Sequence, residues 1–238
     1  MTEDGSLVFS MAERVEAEIF AGLSDLGGQG QVAGTIRVGT PDGFGSAYLA
    51  PRLGQIHKQY PELQIQLVPV PRSFSLSERE ADIAIMVGRP KKGRLKVRKL
   101  LDYSLGVYAS ETYLAQNPTP LSLDALRAHT LVGYVDDLIY ADDLNYTREF
   151  LSDWRSDVQV STAIGQFEAI KAGVGIGVLH DSMAKNCTEL VRLFPERSVT
   201  RTYWIVWHDS LAIASRMRAF MDMLDALVAE DGQLFNNN

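Results

Sequence analysis

The chain has 238 residues, 46% of them hydrophobic and 22% charged, which fits one large or two small globular units with real cores. A formal net charge of −7 excludes an unaided grip on a phosphate backbone, which calls for a basic surface. A single cysteine, Cys187, excludes an internal disulfide and supplies no metal spacing; no run resembles a signal peptide or a bilayer span, so the chain reads as cytoplasmic.

From about Ser6 to Leu26, Val8, Met11, Ala12, Val15, Ile19 and Leu23 recur at helical steps, until Gly27-Gly28-Gln29-Gly30 stops the pattern. Such a long one-sided helix needs a partner for its apolar face, and a second copy of itself is the candidate. Beyond this connector, Thr35–Gly39 reads as a strand, Tyr48–Tyr60 as a helix ended by Pro61, and Gln64–Val68 as an alternating strand. A short helix is expected over about Ser75–Glu80, a buried strand over Asp82–Val87, a strand at Leu105–Tyr108 and a helix at Ser110–Ala115. Leu131–Val135 reads as a strand, Tyr146–Trp154 and Gln166–Ala172 as helices, and Gly175–Leu179 and Tyr203–Trp207 as strands. Ala212–Ala229 closes the series as an amphipathic helix, and the polar tail from Gly232 to Asn238 is expected to be disordered. Strands separated by helices of this length predict right-handed crossovers and a mostly parallel sheet with helices on both faces.

Several residues could meet a ligand. Thr40-Pro-Asp-Gly-Phe-Gly-Ser46 joins the first strand to the first helix; its glycines let backbone N–H groups approach a ligand, and a helix N-terminus follows. The competing reading is an ordinary turn capped by Asp42 or Ser46. Arg72 and Arg89, each just past a strand, could clamp a carboxylate with a bidentate fork or simply be solvated charges. Asp136 and Asp137 are adjacent, so their side chains need not converge on a metal. His57, His129, His180 and His208 pair neither with one another at ligand spacing nor with Cys187, and read as surface or packing residues. Trp204 and Trp207 flank Ile205 and read as strand core; no dinucleotide-binding, phosphate-loop or nucleophile-elbow motif supports catalysis.

Taken in order, the segments resemble the effector-binding region of LysR-type transcriptional regulators over nearly the whole chain. The resemblance is carried by Thr2-Glu-Asp-Gly5 with its helix, Gly34–Gly39, Leu49-Ala-Pro51-Arg-Leu53 with Tyr60-Pro61, Ala81–Ile85 and Ala109–Leu114. It continues through Ala169-Ile-Lys-Ala-Gly173-Val-Gly175-Ile-Gly177, Leu190–Pro195, Tyr203-Trp204 with His208, and Arg216–Phe220. One departure is His180, where the family commonly has proline.

The resemblance implies an α/β fold of two Rossmann-like subdomains joined by two crossover strands, the periplasmic-binding-protein type II fold. It divides the chain into a linker helix and connector (1–30), subdomain I (34–103 plus 208–231), subdomain II (104–207) and the tail (232–238). A small-molecule effector, with an organic anion among the candidates, is expected in the cleft against Thr40, Asp42, Gly43, Phe44, Ser46, Arg72, Gly88 and Arg89 from one side. Val135, Asp136, Thr162 and Gly165 would line the other. No cofactor, metal or membrane is implied; the expected partners are further copies of the chain, as a dimer or tetramer, and promoter DNA through a winged helix-turn-helix preceding Thr2, where the chain is read as beginning. A solute-binding protein of the same architecture is the alternative, and an enzyme on this fold a third.

Overall fold

Thr35 and Arg37 are exposed and alternate with the fully buried Ile36 and Val38, so one face of the first strand meets the core and the other meets solvent. The computed structural model describes residues 32–72, 80–90, 93–209 and 214–235, together with Gly5 and Val8. The pairing face of the leading helix, the helix expected from about Ser75, and Asn236 to Asn238 lie outside the described residues.

Strand β1 (Gly34–Thr40) runs parallel to β2 (Leu63–Pro69) and β3 (Ile83–Val87). On the outward face of the first pair, Thr35 donates to Gln64 and Arg37 Nε to Gln66. Strands β4 (Leu95–Ser110) and β9 (Val199–His208) then pair antiparallel from Leu95 opposite His208 to Leu105 opposite Val199, with a bulge between Lys99 and Leu101. Beyond them lie β5 (Leu131–Gly133), β6 (Val158–Gln159), β7 (Ile176–His180) and β8 (Leu190–Leu193). The order is β2-β1-β3-β9-β4-β7-β5-β6, with β8 also on β4. Each half thus has its own parallel ladder, and β4 and β9 carry the chain out and back between them.

The expected mostly parallel sheet is therefore mixed. An outgoing and a returning strand laid side by side must run in opposite senses, and β3, β7 and β8 all meet these two strands antiparallel.

The helices are α1 (Leu53–Gln59), α2 (Glu111–Leu114), α3 (Ala163–Lys171), α4 (Asp181–Ala184), α5 (Ser215–Glu230) and α6 (Gly232–Phe235). A π-helical turn (Gly43–Leu49) and a 3-10 turn (Ala50–Arg52) lead into α1, so helical structure begins inside the segment expected to be a loop. Helix α5 buries Met217, Phe220, Met221, Leu224 and Leu227 at three- and four-residue steps. No helix among the described residues is long and apolar enough to cross a membrane.

Two further expectations fail for physical reasons. Tyr146, Phe150, Leu151 and Trp154 are buried at helical spacing, yet only Tyr146–Glu149 is helical, as a 3-10 turn. Bulky rings each anchored in the core fix this segment more strongly than its helix propensity does. The tail does not wander from its first residue either: Phe235 is 3% exposed, with its ring 4.7 Å from that of Tyr48. Asp231 secures the approach by accepting from Arg52 Nε at 2.7 Å and from the Tyr48 hydroxyl at 3.1 Å.

Candidate functional site at the crevice between the two halves

Beyond Thr40 the chain leaves the carboxyl end of β1, the position where open α/β sheets hold their ligands. Thr40 is fully buried, and its hydroxyl oxygen has no hydrogen-bond partner among the described residues. Two residues on, Asp42 precedes the helical turn but does not cap it. Its carboxylate instead crosses to the other half of the sheet and accepts the Ile164 N–H at 3.1 Å. That N–H belongs to the first turn of α3, where backbone donors have no intrahelical acceptor. Thr162 caps the same turn by accepting from Gly165 N at 3.1 Å. Burial pushes the Asp42 carboxyl above its ordinary range, and the backbone of Ile164 and Ala163 pulls the other way.

Gly43 allows this approach. A Cβ there would lie 3.1 Å from the Ala163 Cβ and 3.3 Å from the His180 ring, tighter than side chains ordinarily pack. Under it runs an aromatic stack: Phe44 lies 4.9 Å from Tyr203, Tyr203 stacks on Tyr103 at 4.1 Å, and Tyr103 lies 5.1 Å from His180. The pair register explains the stack, because Tyr103 faces Arg201 across β4 and β9, putting Tyr203 on its diagonal. His180 Nε2 is 3.4 Å from the Tyr203 hydroxyl, whereas the Tyr103 hydroxyl is buried and has no partner among the described residues. Burial pushes His180 down to about 4, so it is a neutral imidazole at pH 7.

A second contact closes the crevice nearby. Gly88, just past β3, has φ of +75°, and a Cβ there would meet Asp143 Oδ2 of the other half at 2.3 Å. Arg201 on β9 holds that segment through the Asp143 carbonyl at 3.0 Å and through Glu149. Gly88→Ala should lower stability by about 1–2 kcal/mol, since it strains a left-handed backbone and forces Asp143 aside. A lower denaturant midpoint at unchanged m would report it; an unchanged midpoint would show that the contact gives way freely.

The structure thus sets Asp42 and Gly43 against the first turn of α3, which Thr162 caps at Gly165, with Thr40 just before them and the Phe44 ring turned into the aromatic stack; Gly88 meets Asp143 instead. Ser46 is half-buried on the helical turn. Arg72 is turned to Glu80, its two terminal nitrogens donating at 2.9 and 3.0 Å. Arg89 lies over the Trp204 ring at 5.4 Å. Val135 precedes a 3-10 turn, and the exposed Asp136 accepts from Gln159. Tyr103, Tyr203 and His180 were not among the expected site residues, although the histidine in place of the family's proline marked its position.

A family model described as the LysR substrate binding domain matches residues 29–229. The chain is 25% identical to the glycine cleavage system transcriptional activator of Escherichia coli (strain K12) over 99% of its own length and 78% of that protein. It is 32% identical to an HTH-type transcriptional regulator of Xanthomonas campestris pv. campestris (strain 8004), over 54% of this chain and 38% of that one. Among solved structures, the CrgA regulatory domain, a LysR-type transcriptional regulator from Neisseria meningitidis, aligns with a TM-score of 0.72 at 26% identity, covering 82% of this chain and 98% of that one.

Proposed function

The chain belongs to the LysR substrate binding domain family, and on that premise we propose that it is the effector-sensing part of a transcriptional regulator. A small molecule binds in the crevice between residues 34–103 with 208–231 and residues 104–207, and shifts the angle between these two subdomains. The change reaches promoter DNA through a separate helix-turn-helix domain, in a cytoplasmic dimer or tetramer and without catalysis. A ligand can move that equilibrium only by its difference in affinity for the two arrangements.

One observation carries this reading. The hydroxyls of Thr40 and Tyr103 are buried, and neither has a hydrogen-bond partner among the described residues. Buried polar groups are nearly always paired, so two orphans beside one crevice call for a ligand that pairs them. An organic anion remains the class to screen first, although Arg72 is engaged by Glu80 and Asp42 already lies on the first turn of α3.

Thermal-shift screening of small carboxylates and aromatic acids tests the proposal. A compound at about one hundred times its Kd should raise Tm by roughly 5–10 °C. Thr40→Val and Tyr103→Phe should leave the free protein as stable or slightly more so, because each removes an unsatisfied group, while abolishing that shift. A hit whose shift survives both substitutions binds elsewhere and removes the crevice from the function.

A further inference from the structure

Lys99 lies opposite Trp204 and Leu101 opposite Tyr203, so Leu100 is the extra residue of the β4 bulge and has no counterpart in the ladder. Successive side chains of a regular strand point to opposite faces, and a bulge suspends that rule. Leu100 and Leu101 accordingly border one cavity of about 440 Å³, walled on its other side by Val228 and Ala229 of α5 and Phe235 of α6. Leu100, Leu101 and Val228 are only half-buried, which leaves apolar surface toward this space. None of the residues expected to meet the effector lines it.

The charges around the cavity are matched. Arg98 pairs with Asp225 at 2.9 Å and Lys99 with Asp102 at 2.6 Å, and Asp102 also accepts from Thr202 at 2.6 Å. An ionised guest would lose its water and find every counter-charge already engaged, a cost that an uncharged guest escapes. The volume lies within the range of small-molecule sites. Phe235 connects the cavity to both ends of the sheet. Its ring lies 4.7 Å from Tyr48 and 6.3 Å from Phe44, and its carbonyl oxygen is 3.0 Å from Ser104 Oγ on β4. Lys185, just past α4, donates to the Gln233 carbonyl at 3.4 Å. One turn of chain therefore ties the half holding β1 to the half holding β7.

We propose that this cavity is a second small-molecule site, separate from the crevice, for an uncharged molecule built on an aromatic ring. Bound there, the ring wedges between the β4 bulge and Phe235 and steadies the tie between the two halves. The site stands on its own geometry and does not depend on the crevice reading.

Indole is the probe. At about ten times its Kd it should raise Tm by about 3–6 °C and give nuclear Overhauser contacts to the methyls of Leu100, Leu101 and Val228. It should also slow exchange of the Leu234 amide, which donates to the Asp231 carbonyl at 2.8 Å. Ala229→Trp, at an exposed rim position, fills the cavity and should remove the shift, whereas Thr40→Val and Tyr103→Phe should keep it. Missing methyl contacts, or a shift that survives Ala229→Trp, would overturn the site. The methyl contacts are read in the unmodified chain, so they decide even if Ala229→Trp fails to fold. Indole-3-acetate, the same ring with a charge, should shift Tm less, and an equal shift overturns the uncharged class. Methyl contacts with an unchanged Leu234 amide would overturn the wedge. A shift lost in Thr40→Val and Tyr103→Phe would put indole in the crevice, sinking this site while supporting the crevice reading.

Discussion

Arg192→Met should destabilise the chain by about 3–5 kcal/mol, lowering Tm on the order of 10 °C. Asp181 is fully buried, and Arg192, itself 15% exposed in its side chain, pairs with it at 2.6 Å. The Tyr108 hydroxyl donates to the same carboxylate at 2.7 Å, and Ser104 donates to its other oxygen. These hydroxyls satisfy lone pairs but bring no counter-charge, so methionine leaves a carboxylate stranded in the core between β4 and α4. Pairing the change with Asp181→Leu should recover much of the loss, because replacing a whole buried ion pair with apolar groups is often neutral or better. Arg192→Lys should fall between, keeping the charge but losing the bond from Arg192 Nη2 to the Arg197 carbonyl at 3.2 Å. Denaturant melts of the four proteins measure this. A single-mutant loss below about 1 kcal/mol, the range of exposed pairs, would show that water reaches Asp181.

Asp181 and Arg192 illustrate what the sequence shows and what it hides. Alternation and apolar runs mark β1, β2, β3 and β7, since each element's own residues carry the period of its burial. Strand β4 is longer than its legible part. Lys96, Arg98, Lys99 and Asp102 interrupt its first half, and the Lys99–Leu101 bulge breaks the alternation that would reveal it. Pairing with β9 makes that stretch a strand, and pairing is a long-range fact. The crevice divides in the same way. Thr40, Asp42 and Gly43 stand out because a strand-to-helix turn with glycines is a local signal. Asp42's destination is not local, for nothing near it names an N–H 122 residues away. Tyr103 and Tyr203 read as strand aromatics, which they are, and only the register of two crossover strands turns them into a wall. Arg72 reads by its charge as a clamp for an anion, whereas its partner in the fold is Glu80, eight residues on.

Stability should fall as pH drops from about 6.5 to about 4, by up to roughly 3 kcal/mol, with His180 as the cause. Unfolded, the imidazole takes up its proton near 6.5; folded, burial beneath Gly43 and beside Tyr103 holds it to about 4, and the nearby Asp181 charge only partly offsets this. Between those values the unfolded chain binds more protons, so acid favours unfolding, and the effect levels off below about 4. Asp42 works in the opposite sense. Its folded pKa lies above 3.8, so ionising it costs stability as pH rises through that folded value. Asp42→Asn should therefore steepen the observed slope, and His180→Gln should remove most of it. Urea melts at half-unit pH steps separate the two contributions, and a slope that survives His180→Gln would assign the acid sensitivity to other groups. His180 lies on the same side of Gly43 as Ala163, 3.3 Å from where a Gly43 Cβ would stand, so its protonation bears directly on the contact through which the two halves touch. A charged imidazole under Gly43 is driven toward water, and parting the contact between Gly43 and Ala163 would expose it, so acid should open the crevice before the whole chain unfolds. An Ile164 amide whose protection factor, taken against its intrinsic exchange rate at each pH, falls below pH 6 ahead of those of the β1 amides is the result to expect, and a simultaneous fall in both would reduce the acid response to global unfolding.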